Sequence, residues 1–345
     1  MARFLYSVSP VGLGHATRAI AVAAILQRNG HYIEFTSGGT AADMIESYGY
    51  RVSRLVEAPV PQVVGGEMKM AAMWYLRYWR AYSRTRERLR RHISESRQDL
   101  VVGDEEFASV TVAMQNGLPN ALVTDELELN FARSAAARLI ERRVAEWYKR
   151  LQTEVTALLI PDAGKDSGNV HHVSPIVRPV TLTRTEVVDE FALPERGTMI
   201  LFSMSGAGVG ESLLRRTAEA WRAASIPGSF LVVSGNRGEK LGGENVFDLG
   251  PVKENQNLVA SADLVVSTAG KSTIDEADMS GTPIITIPIK NHWEQERNAE
   301  QLGFGPGDAS RLVELIRERA GSRRAPHDYR GAENAAALLA SLAGQ

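Results

Sequence analysis

The sequence of 345 residues contains no cysteine, which excludes disulfides, thiolate metal sites, iron–sulfur clusters and cysteine nucleophiles. It also lacks a long apolar run: the uncharged stretch at residues 19–26 is far shorter than the about 20 residues that cross a bilayer. Neither sign of charge dominates, since 39 Lys and Arg oppose 41 Asp and Glu, so no general attraction to nucleic acid is expected. We therefore predict a soluble, cytoplasmic protein that does not bind nucleic acid.

Short β-branched runs alternate with longer helical stretches in both halves, which is typical of βαβ units. The pattern predicts an α/β protein with two Rossmann-like, doubly wound sheets that face each other across a cleft, where ligands would bind at strand carboxyl ends. A proline-containing segment without helical period, residues 173–197, is interpreted as the interdomain connection. The predicted division is a first domain at 1–175, a linker at 176–196, a second domain at 197–325, and a terminal helix at 326–345 whose return to the first domain is left open. Strands are predicted at residues 4–8, 32–36, 99–103, 121–124, 199–204, 229–234, 245–250, 263–268 and 283–288.

A glycine turn follows the first predicted strand. Gly12 and Gly14 permit close backbone approach, and His15 opens a helix whose free N–H groups favour an anionic group. A third glycine and an acid ending the second strand, which a nicotinamide-dinucleotide site would need, are missing, so a dehydrogenase is disfavoured. With a reference pKa of about 6.5, His15 is a candidate general base, while helix capping or phosphate contact is the structural alternative.

The second half has two further strand-to-helix turns. Ser205 and Gly206 begin a glycine-rich loop whose amides could surround a diphosphate. Gly270 begins a helix, and Glu276 lies one and a half turns into it, placed to bind a vicinal diol through both carboxylate oxygens. Glu294 and Gln295 start a later helix, where they could hydrogen-bond the hydroxyls of a sugar.

This combination resembles glycosyltransferase family 28, most specifically over residues 262–299 and more moderately in the first domain. The resemblance implies the GT-B fold, a nucleotide-activated sugar donor that is usually UDP-linked, and inversion of the anomeric centre without a metal or another cofactor. The sequence agrees with the implied metal independence, because it contains no Asp-x-Asp spacing.

The resemblance also assigns roles to individual residues. The first loop is matched by Gly12, Gly14 and His15, and the second by Ser205, with Gly206 beside it. The match further implies that Asn130 faces the donor, that Arg178 is the arginine of the linker, and that the backbone at Val252 binds the uracil ring. It also implies that Glu276 binds the ribose and that Gln295 contacts the donor sugar. The phosphate-binding helix start is matched by four consecutive residues: Gly270, Lys271, Ser272 and Thr273. The loop before Glu294 and Gln295 is one residue shorter than in the family, so the Gln295 assignment could shift by one position. The GLGH form of the first loop leaves the acceptor open.

Acidic residues follow two predicted strands of the first half. Asp104 and Asp125 should both lie at strand ends near His15. Asp104 could orient His15 or itself act as the base, so His15 and Asp104 are both kept as catalytic candidates. Helix N-capping is the alternative for both residues and is preferred for Asp125. His171 and His172 are interpreted as structural, and His292 is interpreted as stacking or solvent-exposed and not as catalytic.

Residues 69–97 combine nine cations with two glutamates, a net charge of +7, and carry interleaved aromatic residues. Such a segment could lie at an anionic membrane surface through Trp74, Trp79, Arg77 and Arg80. The alternative is that the aromatic rings pack on the sheet while the arginines form a solvated face.

The preferred hypothesis is an inverting transfer of a sugar from a UDP-sugar to a hydroxyl acceptor, with a lipid-linked acceptor and peripheral membrane attachment as open possibilities. In it, the departing diphosphate is stabilised by helix N-termini and by Arg178. A nucleotide-sugar epimerase or hydrolase of the same fold, and a non-catalytic sugar-nucleotide-binding subunit, are the alternatives.

Overall fold

The computed structural model describes residues 1–59, 62–64, 66–69, 71–125, 128, 135–203 and 211–344. The chain divides into two compact units. Unit 1 consists of Met1–Val60, Met70–Val177 and Tyr329–Gln345, and unit 2 consists of Pro61–Lys69 and Arg178–Asp328. Each unit therefore contains at least one segment that is distant in sequence from the rest of it.

The described part of the chain forms the following strands: β1 (Arg3–Val8), β2 (Tyr32–Thr36), β3 (Val52–Ser53), β4 (Gln62–Val64), β5 (Glu67–Lys69), β6 (Leu100–Asp104), β7 (Asn120–Val123), β8 (Ala157–Ile160), β9 (Val170–His172), β10 (Met199–Ser203), β11 (Phe230–Ser234), β12 (Val246–Asp248), β13 (Leu264–Ser267) and β14 (Ile284–Thr286).

The helices are α1 (Gly14–Arg28), α2 (Gly39–Ser47), α3 (Ala71–Glu95), α4 (Phe107–Gln115), α5 (Ala135–Glu154), α6 (Arg184–Glu190), α7 (Glu211–Ala224), α8 (Asn255–Ser261), α9 (Lys271–Ser280), α10 (Trp293–Gln301), α11 (Leu312–Arg319) and α12 (Gly331–Leu342), with a 3₁₀ turn at Pro306–Ser310. Across these helices, none combines the length and the apolar character that a bilayer crossing requires.

Unit 1 contains a parallel seven-stranded sheet in the order β3-β2-β1-β6-β7-β8-β9. Its central strands β1, β6, β7 and β8 are almost entirely buried, as expected for a parallel sheet covered by helices on both faces, and the edge strands β3 and β9 are partly buried. Helix α1 is alanine-rich and buried over most of its surface because α12 packs against it, and together they form one core with the sheet. Helices α3 and α4 pack against each other and contribute to a separate core that includes Leu5, Leu89 and Val101.

Unit 2 contains a parallel five-stranded sheet in the order β12-β11-β10-β13-β14. One core includes Phe202, Leu214 and Ile316, and another includes Leu201, Leu258 and Ala277, so helices cover both faces of this sheet as well. The reversal of strand order between β10 and β13 is the feature that places ligands at the carboxyl ends of these strands in open α/β sheets. The predicted class of two Rossmann-like parallel α/β sheets is confirmed.

The segment 173–197 contains a helix that its sequence pattern does not predict. In α6, the Thr183 hydroxyl accepts a hydrogen bond from the Glu186 backbone, and the Glu186 carboxylate accepts one from the Thr183 backbone, which together form a capping box. Val187 and Val188 are buried in the core of unit 2. The expectation of a helix-free connection is therefore wrong over residues 184–190. A capping box at the first turn and two buried valines stabilise this short helix.

A two-stranded antiparallel hairpin, β4–β5, is also absent from the sequence prediction. It precedes α3 of unit 1 in the chain, yet it belongs to unit 2. Its three-residue strands are too short to produce a recognisable alternation of polar and apolar residues.

Candidate functional site

In unit 1, the first glycine turn positions His15 at the start of α1. Gly12 has a φ of +81°, a conformation that glycine adopts without steric cost, and α1 begins two residues later. The His15 side chain is 18% exposed, and its Nδ1 lies 3.2 Å from Asp104 Oδ1. The structure therefore brings together the two residues predicted as catalytic candidates.

Asp104 ends β6, directly beside the end of β1, and its side chain is fully buried. Its carboxylate accepts hydrogen bonds from Arg18 Nε, at 3.0 and 2.9 Å, and from Arg18 Nη2 at 2.7 Å. Because both oxygens are engaged and inaccessible, Asp104 is placed to orient His15 and not to contact a substrate. The capping alternative for Asp104 is wrong, since Glu106 caps α4 by accepting from the Ala108 and Ser109 amides.

Arg18 joins two acids that come from different strands. It lies one helical turn after His15, and its Nη1 donates to both oxygens of Asp125 at 2.7 Å. The capping preference for Asp125 does not account for this contact. A buried arginine is tolerated when carboxylates compensate its charge, and two do so here. The sequence analysis missed Arg18, although it is the only charged residue between Gly14 and Gln27.

His15 and Glu105 are two of the groups in this cluster whose pKa values are shifted. Burial disfavours the charged form of His15, but the hydrogen bond to Asp104 and the nearby carboxylates more than compensate, so its pKa is raised. Burial raises the pKa of Glu105 to about 7, and Asp125 adds to the rise. Glu105 has a φ of +46°, and its carboxylate accepts from the Asp125 amide at 3.1 Å. Unit 1 thus contains an imidazole, that of His15, in contact with the buried carboxylate of Asp104.

In unit 2, the turn after β13 leads into α9 in the predicted way. Ala269 has a φ of +63°, and Gly270 is the N-cap residue of α9 with no side chain capping the helix end. Lys271 pairs with Asp275 one turn further on. Ser272 and Thr273 lie in the first helical turn, whose amide donors favour an anionic group. This end of α9 is therefore suited to a phosphate.

Glu276 is buried on α9 and is paired with an arginine. Arg178 Nη2 donates to its Oε1 at 3.0 Å, and both side chains are about 5% exposed or less. Burial raises the pKa of Glu276, while Arg178 opposes the rise. Within the described residues, Oε2 of Glu276 has no hydrogen-bond partner. Arg178, which was expected near a diphosphate, instead holds Glu276, and its Nη1 donates to the Lys253 carbonyl at 2.7 Å.

Val252 lies between β12 and α8, next to the Lys253 carbonyl that Arg178 binds. Its side chain is partly buried against the core of unit 2. It lies outside helix and strand, directly before the turn that leads into α8.

Glu294 and Gln295 lie in the first turn of α10, but only one of them is engaged within the protein. Gln295 is buried, and its Oε1 accepts from the Ile289 amide at 3.0 Å. Glu294 is partly exposed and has no hydrogen bond or ion pair to any described residue. His292 caps this helix by accepting from the Gln295 amide, so its role here is structural.

Three of the predicted site residues, Asn130, Ser205 and Gly206, lie outside the described residues. The remaining predicted residues fall into two groups, one in each unit: Gly12, Gly14, His15 and Asp104 in unit 1, and Arg178, Val252, Gly270 to Thr273, Glu276, Glu294 and Gln295 in unit 2. In the same described part of the chain, no cluster of three or more histidine or acidic side chains could hold a metal ion.

The basic aromatic segment forms α3. Its inner face contributes Tyr82, whose hydroxyl donates to Thr111 on α4, as well as Leu89 and Ile93. Trp79 is 47% exposed. Trp74 is partly buried, and its indole N–H donates to the Pro59 carbonyl at 2.7 Å. The inner rings therefore pack, as one interpretation expects, and Trp79 stacks on Tyr82 while it stays partly exposed. Contact of α3 with a membrane surface stays a prediction.

Residues 237–304 match the family model described as Glycosyltransferase family 28 C-terminal domain. An uncharacterized glycosyltransferase of Methanosarcina acetivorans is 27% identical over 319 residues, which cover 85% of this chain and 82% of that protein. A UDP-N-acetylglucosamine–N-acetylmuramyl-(pentapeptide) pyrophosphoryl-undecaprenol N-acetylglucosamine transferase of an Exiguobacterium species is 23% identical over 289 residues, covering 80% and 76%. The solved structure of MurG from Acinetobacter baumannii aligns with a TM-score of 0.61 at 14% identity, covering 99% of this chain and 100% of that one. The predicted family resemblance and the predicted fold are confirmed.

Proposed function

Since the chain is a glycosyltransferase of the family 28 type with the GT-B fold, we propose that it transfers a sugar from a UDP-linked donor to a hydroxyl acceptor, with inversion and without a metal ion. The observation that carries the proposal is the buried Glu276–Arg178 pair on α9, five residues beyond an uncapped helix start. A charged carboxylate held beside a phosphate-binding helix end fits a ribose that is linked to a diphosphate. UDP is the nucleotide in the name of the Exiguobacterium relative.

The donor contacts described here all lie in unit 2. The amides at the start of α9 bind the diphosphate, and Glu276 accepts hydrogen bonds from the ribose hydroxyls. Arg178 is a positioning residue, because its guanidinium fixes one oxygen of Glu276 and the Lys253 carbonyl at the same time. The backbone of Val252, next to Lys253, is then available for the base. Glu294 and Gln295 serve the donor sugar.

The acceptor is activated by unit 1. In this mechanism His15 carries its proton on Nδ1, which lies 3.2 Å from Asp104 Oδ1, and the lone pair on Nε2 is the general base. Nε2 takes the proton of the acceptor hydroxyl as its oxygen forms a bond to the anomeric carbon. The bond from that carbon to the diphosphate oxygen breaks on the opposite side, and UDP departs with the electron pair. One displacement of this kind inverts the anomeric centre.

The outer face of α3 suggests where a lipid-linked acceptor would be met. We propose that Trp79 and Leu76, 47% and 52% exposed, insert at an anionic membrane surface while the exposed Arg77 and Arg80 contact lipid phosphates. Trp74 is not part of this anchor, because its indole is bound to the Pro59 carbonyl. The lipid-linked acceptor in the name of the Exiguobacterium relative supports this proposal.

The donor assignment is tested by Glu276→Gln, which keeps the shape of the side chain and removes its charge. We expect UDP affinity to fall by roughly 2 kcal/mol, about 30-fold in Kd, because a charge-assisted contact to the ribose is lost. Isothermal titration with UDP measures this loss. The matched control is Glu314→Gln, an exposed residue of the same unit that pairs with Arg311.

The variant also leaves Arg178 with a neutral partner, so its thermal unfolding is measured beside the titration to confirm that it is folded at the assay temperature. A folded Glu276→Gln protein that binds UDP as tightly as the parent would show that the ribose assignment is wrong.

A further inference from the structure

The hairpin β4–β5 binds to the segment that precedes α10. The Met68 amide donates to the Lys290 carbonyl at 2.8 Å, and the Lys290 amide donates to the Gly66 carbonyl at 2.9 Å. Glu67 and Lys290 thereby form a parallel bridge. A piece of chain from the first third of the sequence thus extends the main-chain hydrogen bonding of a loop in unit 2.

A side-chain contact reinforces this docking. Asn291 Nδ2 donates to Glu67 Oε1 at 2.9 Å, although the two residues are 224 positions apart. Asn291 has a φ of +66°, a left-handed conformation that asparagine adopts more readily than other residues with a Cβ, and its side chain points to Glu67 from this turn. The backbone N–H of Asn291 donates to Glu296 Oε1 at 2.9 Å. Asn291 therefore links the hairpin to the first turn of α10, where Glu294 and Gln295 lie.

The turn of the hairpin lies beside another helix of unit 2. A methyl group added at Gly66 would come to within 3.4 Å of Ser212 Oγ, in the first turn of α7. Helix α7 is the helix that follows the second glycine-rich loop of the sequence. The hairpin is thus adjacent both to the start of α7 and to the loop before α10.

We propose that the hairpin is part of the donor site and that Glu67 is a positioning residue for the sugar ring of the nucleotide-sugar. Glu67 fixes the side chain of Asn291 through their hydrogen bond, and the backbone N–H of Asn291 in turn binds Glu296 in the first turn of α10, so that Glu294 and Gln295 meet the sugar hydroxyls. In this proposal the diphosphate and the nucleoside are bound by α9 and by the loop around Val252, whereas the hydrogen bonds of Gly66, Met68 and Glu67 described above go to Lys290 and Asn291, before α10. This inference rests on the proposed function, because it assigns the sugar subsite of the same donor.

The proposal predicts that loss of Glu67 weakens the binding of the nucleotide-sugar and not that of the nucleotide alone. Glu67→Ala should weaken the binding of UDP-N-acetylglucosamine about tenfold and change the affinity for UDP by less than about twofold, as isothermal titration with the two ligands would measure. Glu67→Gln keeps an acceptor oxygen for Asn291 and should restore most of the affinity. Glu314→Ala is the control for loss of an exposed carboxylate elsewhere in unit 2.

A second variant separates positioning from general damage to the fold. Asn291→Gly keeps the left-handed backbone accessible while removing the side chain that Glu67 binds. If the two residues act as one unit, Asn291→Gly should show the same selective loss, and the double variant should be no worse than either single variant. Melting temperatures of all variants identify any that are unfolded.

The outcomes are distinguishable. Unchanged affinity for the UDP-sugar in Glu67→Ala, with a parent that binds both ligands, overturns this inference alone. Equal losses for UDP and UDP-N-acetylglucosamine also overturn it, because the hairpin would then be a general support. A parent protein that binds neither ligand overturns the proposed function and this inference with it.

Discussion

At the scale of single residues, His15 is placed between two opposite charges. Its Nδ1 lies 3.2 Å from Asp104 Oδ1 and 3.2 Å from Arg18 Nη2. The charge of Asp104 favours a proton on Nδ1, whereas the charge of Arg18 disfavours a second proton on the ring. A general base needs a tautomer with a free Nε2, and a proton held on Nδ1 by Asp104 leaves that nitrogen free.

This arrangement predicts the pH dependence of the transfer. Because the His15 pKa is raised and the base must be neutral, the rate should fall as pH decreases through a pKa above 6.5. His15→Gln should remove this acid limb and lower kcat by about 10² to 10⁴, the usual contribution of a general base. The measurement is kcat against pH with UDP-N-acetylglucosamine and an accepted hydroxyl compound.

The control for this measurement is His327→Gln, which alters an exposed histidine that pairs with Asp278 in unit 2 and should leave the pH profile unchanged. An acid limb that persists at the same pH in His15→Gln would assign the titration to another group and would exclude His15 as the base.

The two groups of predicted site residues, one in each unit, differ in how far the sequence predicts them. The residues predicted to bind the donor, from Gly270 to Gln295, lie in one stretch of strand, turn and helix, so local pattern alone places them near each other. The cluster around His15 is assembled from residues that lie about 90 and 110 positions further along the chain. Tertiary packing decides that Arg18 faces inward, and helical periodicity cannot distinguish such an arginine from a solvated one.

At the scale of elements, strands with strong apolar runs are predicted to within about two residues. β2 is found at the predicted positions, and β6 and β7 are each shifted by one residue. The expected strands do not include β8 and β9, nor the hairpin β4–β5. These are three- or four-residue pieces whose pairing depends on neighbours from distant parts of the chain.

The docking of α12 depends on a glycine. A methyl group on Gly331 would lie 2.2 Å from the Pro175 carbonyl oxygen and 2.4 Å from that of Ser174. Gly331→Ala should therefore lower the free energy of unfolding by about 1–3 kcal/mol, the cost of overpacking, as chemical denaturation would measure. Gly307→Ala is the matched control, since a methyl group there meets no atom within 4 Å. Equal stabilities of the two variants would contradict the close packing at Gly331.

The membrane proposal is a prediction about α3. The parent protein should co-sediment with vesicles that contain anionic lipid, and Trp79→Ala combined with Arg77→Ala should reduce the bound fraction several-fold, because an inserted ring and a phosphate contact are lost. Arg91→Ala is the charge-matched control at the other end of α3, where Arg91 pairs with Glu87. Failure of the parent protein to bind such vesicles would contradict the proposal.

At the scale of the whole molecule, the proposed donor should stabilise the folded state. A ligand at 100 times its Kd adds about 2.7 kcal/mol if it binds only the folded protein, which raises Tm by several degrees. We expect UDP and UDP-sugars to produce this shift and other nucleoside diphosphates to produce a smaller one, as a thermal unfolding screen would measure. The shift should persist in EDTA. A shift that requires a divalent cation would contradict metal independence.

The route of the chain through the two units has a consequence for exchanging parts between relatives. Residues 62–69 are contributed to unit 2 from within the sequence of unit 1, and α12 is contributed to unit 1 from beyond the end of unit 2. A chimera made by a single crossover at residue 177 would therefore pair a foreign hairpin with the loop before α10 and a foreign α12 with α1. Donor specificity should transfer cleanly only when the segments 62–69 and 178–328 are exchanged together.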